Sequence, residues 1–193
     1  QLRKLAYDKG LIKIKRLPCV VISVGNVTLG GTGKTPMTIY LAQRIRSLNY
    51  RVAVISRGYR GSAEKQGGVV SDGQTILMTV TAAGDEPSMM AQKLVGVPVV
   101  VGRNRYRAGM IAMQRFRPDV VILDDAFQHW AITRDIDLVL LDAQRPLGNG
   151  YLFPRGTMRE EPSSLARCHA VVFTRMQAPV NRNRIEIDRW LHH

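Results

Sequence analysis

The chain alternates short apolar runs with longer stretches in which apolar positions recur every three to four residues. Runs near residues 19–24, 52–56, 97–101, 120–124, 137–142 and 170–174 are rich in valine, isoleucine and leucine and read as strands. Most are apolar at successive rather than alternate positions, as expected of strands buried on both faces. Helical spacing fits residues 36–48, 85–95, 104–116 and 182–191. Strand and helix in alternation predict an α/β fold, a mostly parallel sheet flanked by crossover helices. The segment 61–79 carries glycines and short β-branched runs and predicts a small β-hairpin insertion. Residues 144–162, with Gly148, Gly150, Gly156 and three prolines, predict a long functional loop.

The first strand runs into Thr28-Leu29-Gly30-Gly31-Thr32-Gly33-Lys34-Thr35. A buried strand, a glycine-rich turn and a helix opening at Lys-Thr make a P-loop-type phosphate cradle. Its backbone N–H groups wrap phosphate oxygens, Lys34 reaches the β and γ phosphates, and the Thr35 hydroxyl ligates Mg²⁺. Thr28 stands where the usual pattern has glycine, so this is a variant of that loop. Its glycines still let the backbone approach an anion closely. The fold class is therefore P-loop NTPase-type, with a nucleoside triphosphate and Mg²⁺ as ligands.

Such a loop needs a second group to organise the metal. Val120-Val121-Ile122-Leu123-Asp124-Asp125 is an apolar strand ending in two carboxylates, as in a Walker B site. Ligands of open α/β sheets bind beyond the carboxyl ends of strands, where both motifs lie. Gln128 and His129 follow directly and are placed to touch nucleotide or acceptor. Gly84-Asp85-Glu86-Pro87 opens a helix. Its acids can serve as an ordinary favourable first turn, or Asp85 can take the acceptor hydroxyl's proton with Glu86 assisting. Arg57 and Tyr59, just past another strand, can hold an anionic acceptor. Asp142 ends a further strand and reads as a structural carboxylate.

The 193 residues suit one domain, and their net charge of +13 calls for an anionic partner. Aromatic residues are few and not interleaved with the basic ones, which argues against a nucleic-acid surface. Residues 1–17 mix apolar and cationic positions, fitting either a membrane-interface helix or a solvated basic helix packed on the domain. No apolar run approaches the roughly 20 residues that span a bilayer. Cys19 and Cys168, the two cysteines, make neither a disulfide framework nor a zinc site, and a reducing cytosol is the simplest setting.

Several motifs in one order resemble the tetraacyldisaccharide 4′-kinases of lipid A biosynthesis. They are the Val24–Pro36 loop, Ser56-Arg57-Gly58-Tyr59, Gly84-Asp85-Glu86-Pro87, Val100-Val101-Gly102-Arg103, Asp124-Asp125-Ala126-Phe127-Gln128-His129, and Leu147-Gly148-Asn149-Gly150 with Pro154 and Arg159-Glu160. The resemblance implies ATP-dependent phosphorylation of the 4′-hydroxyl of a lipid A disaccharide precursor. The setting it implies is peripheral, on the anionic cytoplasmic face of the bacterial inner membrane, with no protein partner. It makes Asp85 the base and Lys34 and Thr35 handlers of ATP and Mg²⁺. Asp124 and Asp125 then organise the metal, Arg159-Glu160 form a pair at the active-site rim, and Asn149 belongs to the substrate side. It also implies a C-terminal lobe, beyond residue 193, supplying a histidine beside Asp85.

Other readings fit less well. Partitioning-type P-loop ATPases place a signature lysine just before Gly30, where this chain has Leu29. A GTPase would follow the last strand with a base-reading Asn-Lys-x-Asp, where this chain has Arg175-Met176-Gln177. A nucleotide-binding module without a competent acceptor site is the alternative function.

Overall fold

The computed structural model describes residues 12–176. The expected helix at 182–191, and most of the basic 1–17 segment, lie outside the described residues. Seven strands form one sheet: β1 (Val20–Gly25), β2 (Val52–Ser56), β3 (Gly68–Ser71), β4 (Val99–Val101), β5 (Val120–Asp124), β6 (Ile136–Asp142) and β7 (Ala170–Thr174). Their order across the sheet is β3-β4-β2-β5-β1-β6-β7. Every pairing is parallel except β3 with β4. The helices are α1 (Lys34–Ser47), α2 (Val80–Ala83), α3 (Asp85–Lys93) and α4 (Arg105–Phe116), with a 3₁₀ helix at Pro162–Arg167.

The central strands read as apolar runs because both their faces are covered. Val52 and Val54 of β2 pack with Ile39 and Ala42 of α1 and with Met90 of α3. Ala53 and Ile55 point the other way, against Ala108 and Ala112 of α4. A third cluster, Val27, Phe127, Val139, Leu141 and Leu165, fills the space beside β6. Apolar contact on both faces supplies the main driving force for this layered arrangement.

Local chemistry sets the helix ends. Thr79 accepts from Ala82 N at the start of α2, and Asn104 accepts from Arg107 N at the start of α4, as N-cap residues do. The 61–79 segment supplies less of a hairpin than its composition suggests. β3 joins the main sheet as its antiparallel edge, since Val69 and Val70 are buried beside β4, and the return contributes the single bridge Ser71–Ile76.

Candidate active site

β1 and β5 are neighbours in register, Val24 opposite Asp124, so the loop after β1 and the carboxylates ending β5 emerge side by side. Hydrogen bonds fix the root of that loop. Asn26 Nδ2 donates to Thr32 Oγ1 at 3.0 Å, and Gln128 Nε2 donates to Asn26 O at 2.9 Å. Leu29 N donates to Thr157 O at 2.6 Å, and Arg159 N donates to Val27 O at 2.7 Å. The long 144–162 loop is thereby laid along the phosphate loop. On the opposite flank, Arg175 donates to Gly31 O at 2.6 Å and to Asp142 Oδ2 at 2.9 Å.

Gly33, with φ at 85°, takes the left-handed turn into α1 that a side chain would resist. The helix then starts at Lys34 with no side-chain cap and no acid in its first turn. Its leading N–H groups and its dipole are thus directed to an anion.

Asp124 is buried. Its Oδ1 accepts from Thr38 Oγ1 at 3.0 Å, and Ser56 Oγ lies at 3.5 Å from Oδ2. Burial pushes its carboxyl up to about 6, with the nearby charges of Asp125 and Glu86 adding and the Thr38 bond and Arg105 opposing. Asp125 has φ at 47° and turns towards two cations. Arg159 Nη1 meets its two oxygens at 2.9 and 3.1 Å, and Lys34 Nζ lies 3.7 Å from Oδ1.

These groups share a cleft of about 740 Å³ with Gly30–Pro36, Arg57, Tyr59 and Glu86. Asp85 is exposed at the same helix terminus. A second cleft, of about 710 Å³, shares the wall Arg57, Arg105, Asp125 and Arg159 and is otherwise lined by Lys65, Arg103, Gln128 and His129 among others. Gln128 and His129 therefore face this basic cleft. Arg57 is held by Glu64 at 2.7 Å, and the Tyr59 ring lies 5.5 Å from the Arg57 guanidinium and 5.3 Å from that of Arg60. Asn149 lines neither cleft but an adjoining cavity of about 480 Å³, with Thr28, Leu29 and Gly148, that shares Gly30, Gly31, Thr32 and Arg175 with the first cleft. Glu160 is paired with Arg167 at 2.7 Å.

Sequence reasoning passed over Arg105, a buried wall residue of both clefts. It donates to Gly102 O at 2.9 Å and to Asp124 O at 3.3 Å, and burial lowers its guanidinium to about 10 despite the nearby acids. The signal was an arginine opening α4, where the helix dipole disfavours a cation.

The donor set fits Mg²⁺, which prefers hard oxygen ligands such as the Thr35 hydroxyl and the two carboxylates. Among the described residues no group of three or more His, Cys, Asp or Glu could hold a metal alone.

A phosphate loop and a strand-end carboxylate on adjacent parallel strands define a P-loop NTPase-type protein. A family model described as "Tetraacyldisaccharide-1-P 4'-kinase" (LpxK) matches residues 1–191, and the chain belongs to that family. It is 51% identical over 175 residues to the tetraacyldisaccharide 4'-kinase of Desulfatibacillum aliphaticivorans, covering 91% of this chain and 48% of that relative. Against the Geobacter sulfurreducens enzyme of the same name it is 50% identical, covering 91% of this chain and 50% of the relative. LpxK from Aquifex aeolicus, solved in complex with ATP, superposes with a TM-score of 0.84 at 39% identity, over 92% of this chain and 55% of that one. The chain thus spans about half the length of the curated relatives it matches.

Proposed function

We propose that this chain forms the ATP-binding part of a kinase that phosphorylates the 4′-hydroxyl of a tetraacyldisaccharide 1-phosphate, a lipid A precursor. The observation that carries the reading is the meeting of Lys34 and Arg159 on Asp125, at the mouth of a cleft lined by the phosphate loop. Family membership supplies the acceptor.

ATP binds with its phosphates against the N–H groups of Gly30–Thr35 and the N-terminus of α1. Lys34 and Arg159 release part of their hold on Asp125 to meet the phosphates, and Arg57 and Arg105 lend further positive charge from the shared wall. The Thr35 hydroxyl and the carboxylates of Asp124 and Asp125 would hold Mg²⁺, which would supply charge neutralisation. The acceptor's hydroxyl oxygen attacks the γ phosphorus, the bridging bond to the β phosphate breaks, and ADP leaves. Asp85 takes the hydroxyl proton, with Glu86 beside it. Little covalent chemistry falls to the protein, so positioning and charge stabilisation carry the rate.

The basic second cleft, with Gln128 and His129, takes the phosphorylated acceptor, and Arg57, common to both clefts and beside the Tyr59 ring, faces it. We assign Asn149 to a supporting role beside the phosphate loop. No described helix is long and apolar enough to cross a membrane. The net charge of +13 favours peripheral attachment to an anionic surface, here the cytoplasmic face of the inner membrane.

Transfer of labelled phosphate from ATP to tetraacyldisaccharide 1-phosphate in detergent micelles tests the reading. Lys34-dependent transfer, lost in Lys34→Ala, is the expected result. ATP binding without transfer would instead favour a nucleotide-binding module that lacks a competent acceptor site.

A further inference from the structure

The Arg167 guanidinium lies between two aromatic rings, 3.9 Å from the Phe127 centroid and 4.1 Å from that of Trp130. Its Nη2 reaches both oxygens of Glu160, at 2.8 and 2.7 Å, and the Phe127 carbonyl at 3.4 Å. Both partners of this ion pair are mostly buried, with 20% and 18% of their side chains exposed. A planar cation stacked on two faces and bonded at its edge is held in one orientation, which a lysine could not reproduce.

These contacts close a ring. Arg167 holds Glu160, the neighbour of Arg159. Arg159 grips Asp125 at 2.9 and 3.1 Å. Asp125 opens the turn that carries Phe127, whose ring returns to Arg167. Arg134 pins the same turn independently, donating from Nη1 to the carbonyls of Ala126 at 3.2 Å and His129 at 2.9 Å. With the turn fixed at that end and the Arg159 backbone tied to Val27 O, the Arg167–Glu160 pair adds the restraint on the C-terminal side of Arg159.

We propose that Arg167 is a positioning residue for phosphoryl transfer. Through Glu160 and the ring of Phe127, it sets the approach of Arg159 to Asp125 and so the place of the Arg159 charge in the cleft. The proposal rests on the reading of that cleft as the Mg·ATP site. It also assigns Glu160 a task within the ring of contacts, rather than direct contact with the acceptor.

A double-mutant cycle on Mg·ATP affinity, with the thermal midpoint recorded for every variant, separates this role from a general structural brace. Arg167→Met is expected to weaken Mg·ATP binding about fivefold in the otherwise unaltered chain, but less than about twofold when Arg159→Met is already present. Arg167→Lys, which keeps the charge without the plane, should fall between. Glu160→Gln tests the same link without emptying the aromatic stack, and should likewise lose its effect in the Arg159→Met background. Equal losses in both backgrounds, or no loss in either, would overturn the proposal. Failure of the unaltered chain to bind Mg·ATP would overturn the reading of the cleft, and this proposal with it.

Discussion

The Thr38 hydroxyl donates to Asp124 Oδ1 at 3.0 Å from within α1, so the helix leaving the phosphate loop holds the carboxylate that ends β5. Both residues are buried. Thr38→Val keeps the volume but strips a buried carboxylate oxygen of its donor, at an expected cost of about 1–3 kcal/mol. Urea unfolding at neutral pH measures the loss. Thr38→Ser, which retains the hydroxyl, should unfold closer to the native chain.

The raised carboxyl of Asp124 gives stability a definite pH dependence. Its folded value of about 6 exceeds the ordinary 3.8, so the folded state holds the proton more tightly than the unfolded chain. Stability from this group is therefore full below about pH 4 and is lost as pH rises through 6. Asp124→Asn should be the more stable form at pH 8, by on the order of 2–3 kcal/mol before other losses, with the gap closing towards pH 4. Mg·ATP binding should run the opposite way, weakening in the native chain as pH falls through 6, because a bound cation needs the ionised carboxylate. Thermal melts and calorimetric titrations across pH 4–8 check both slopes.

If Asp85 is the base, Asp85→Ala should lower kcat by about 10²–10⁴-fold while leaving ATP affinity nearly unchanged. Glu86→Ala, which alters the cleft wall itself, should also raise the KM for ATP. Matched losses of ATP affinity in both variants would remove Asp85 from that role.

Gly25 is required by close approach. A Cβ there would stand 2.5 Å from Phe127 Cβ and 2.8 Å from Phe127 N. Gly25→Ala must displace the turn that carries Asp125, at an overpacking cost of about 1–3 kcal/mol. Its effect on turnover should exceed its effect on the thermal midpoint, because the displaced turn presents Asp125 to the cleft. A variant that melts early yet turns over normally would refute this coupling.

The sheet was legible because parallel strands buried on both faces leave short apolar runs, and β2 and β5 begin and end where those runs do, as does the half-buried edge strand β7. The phosphate loop and Asp124 were legible because their chemistry is local and sits at strand ends. What escaped depends on distant chain segments meeting. Nothing near Arg167 announces that it stacks between Phe127 and Trp130, and the arginine opening α4 signals something unusual at Arg105 without revealing its bond to Asp124 O. Asn149 was assigned to the substrate side through its motif, and its place in a cavity that adjoins the phosphate loop follows from the path of the 144–162 loop. The 61–79 segment reads as a small hairpin rather than a core strand because Val69-Val70 is too short a run to signal a place in the main sheet.

The pairing of Leu29 with Thr157, and of Val27 with Arg159, has a consequence for the order of events in turnover. The strip that cradles one substrate's phosphates and the strip that carries Arg159 to the edge of the neighbouring cleft are stitched along their backbones, so neither can shift alone. On the proposed function, any shift of the phosphate loop on filling the first cleft would carry Arg159 and the shared wall of the second with it. The two substrates should bind with synergy, each tightening the other by the same factor.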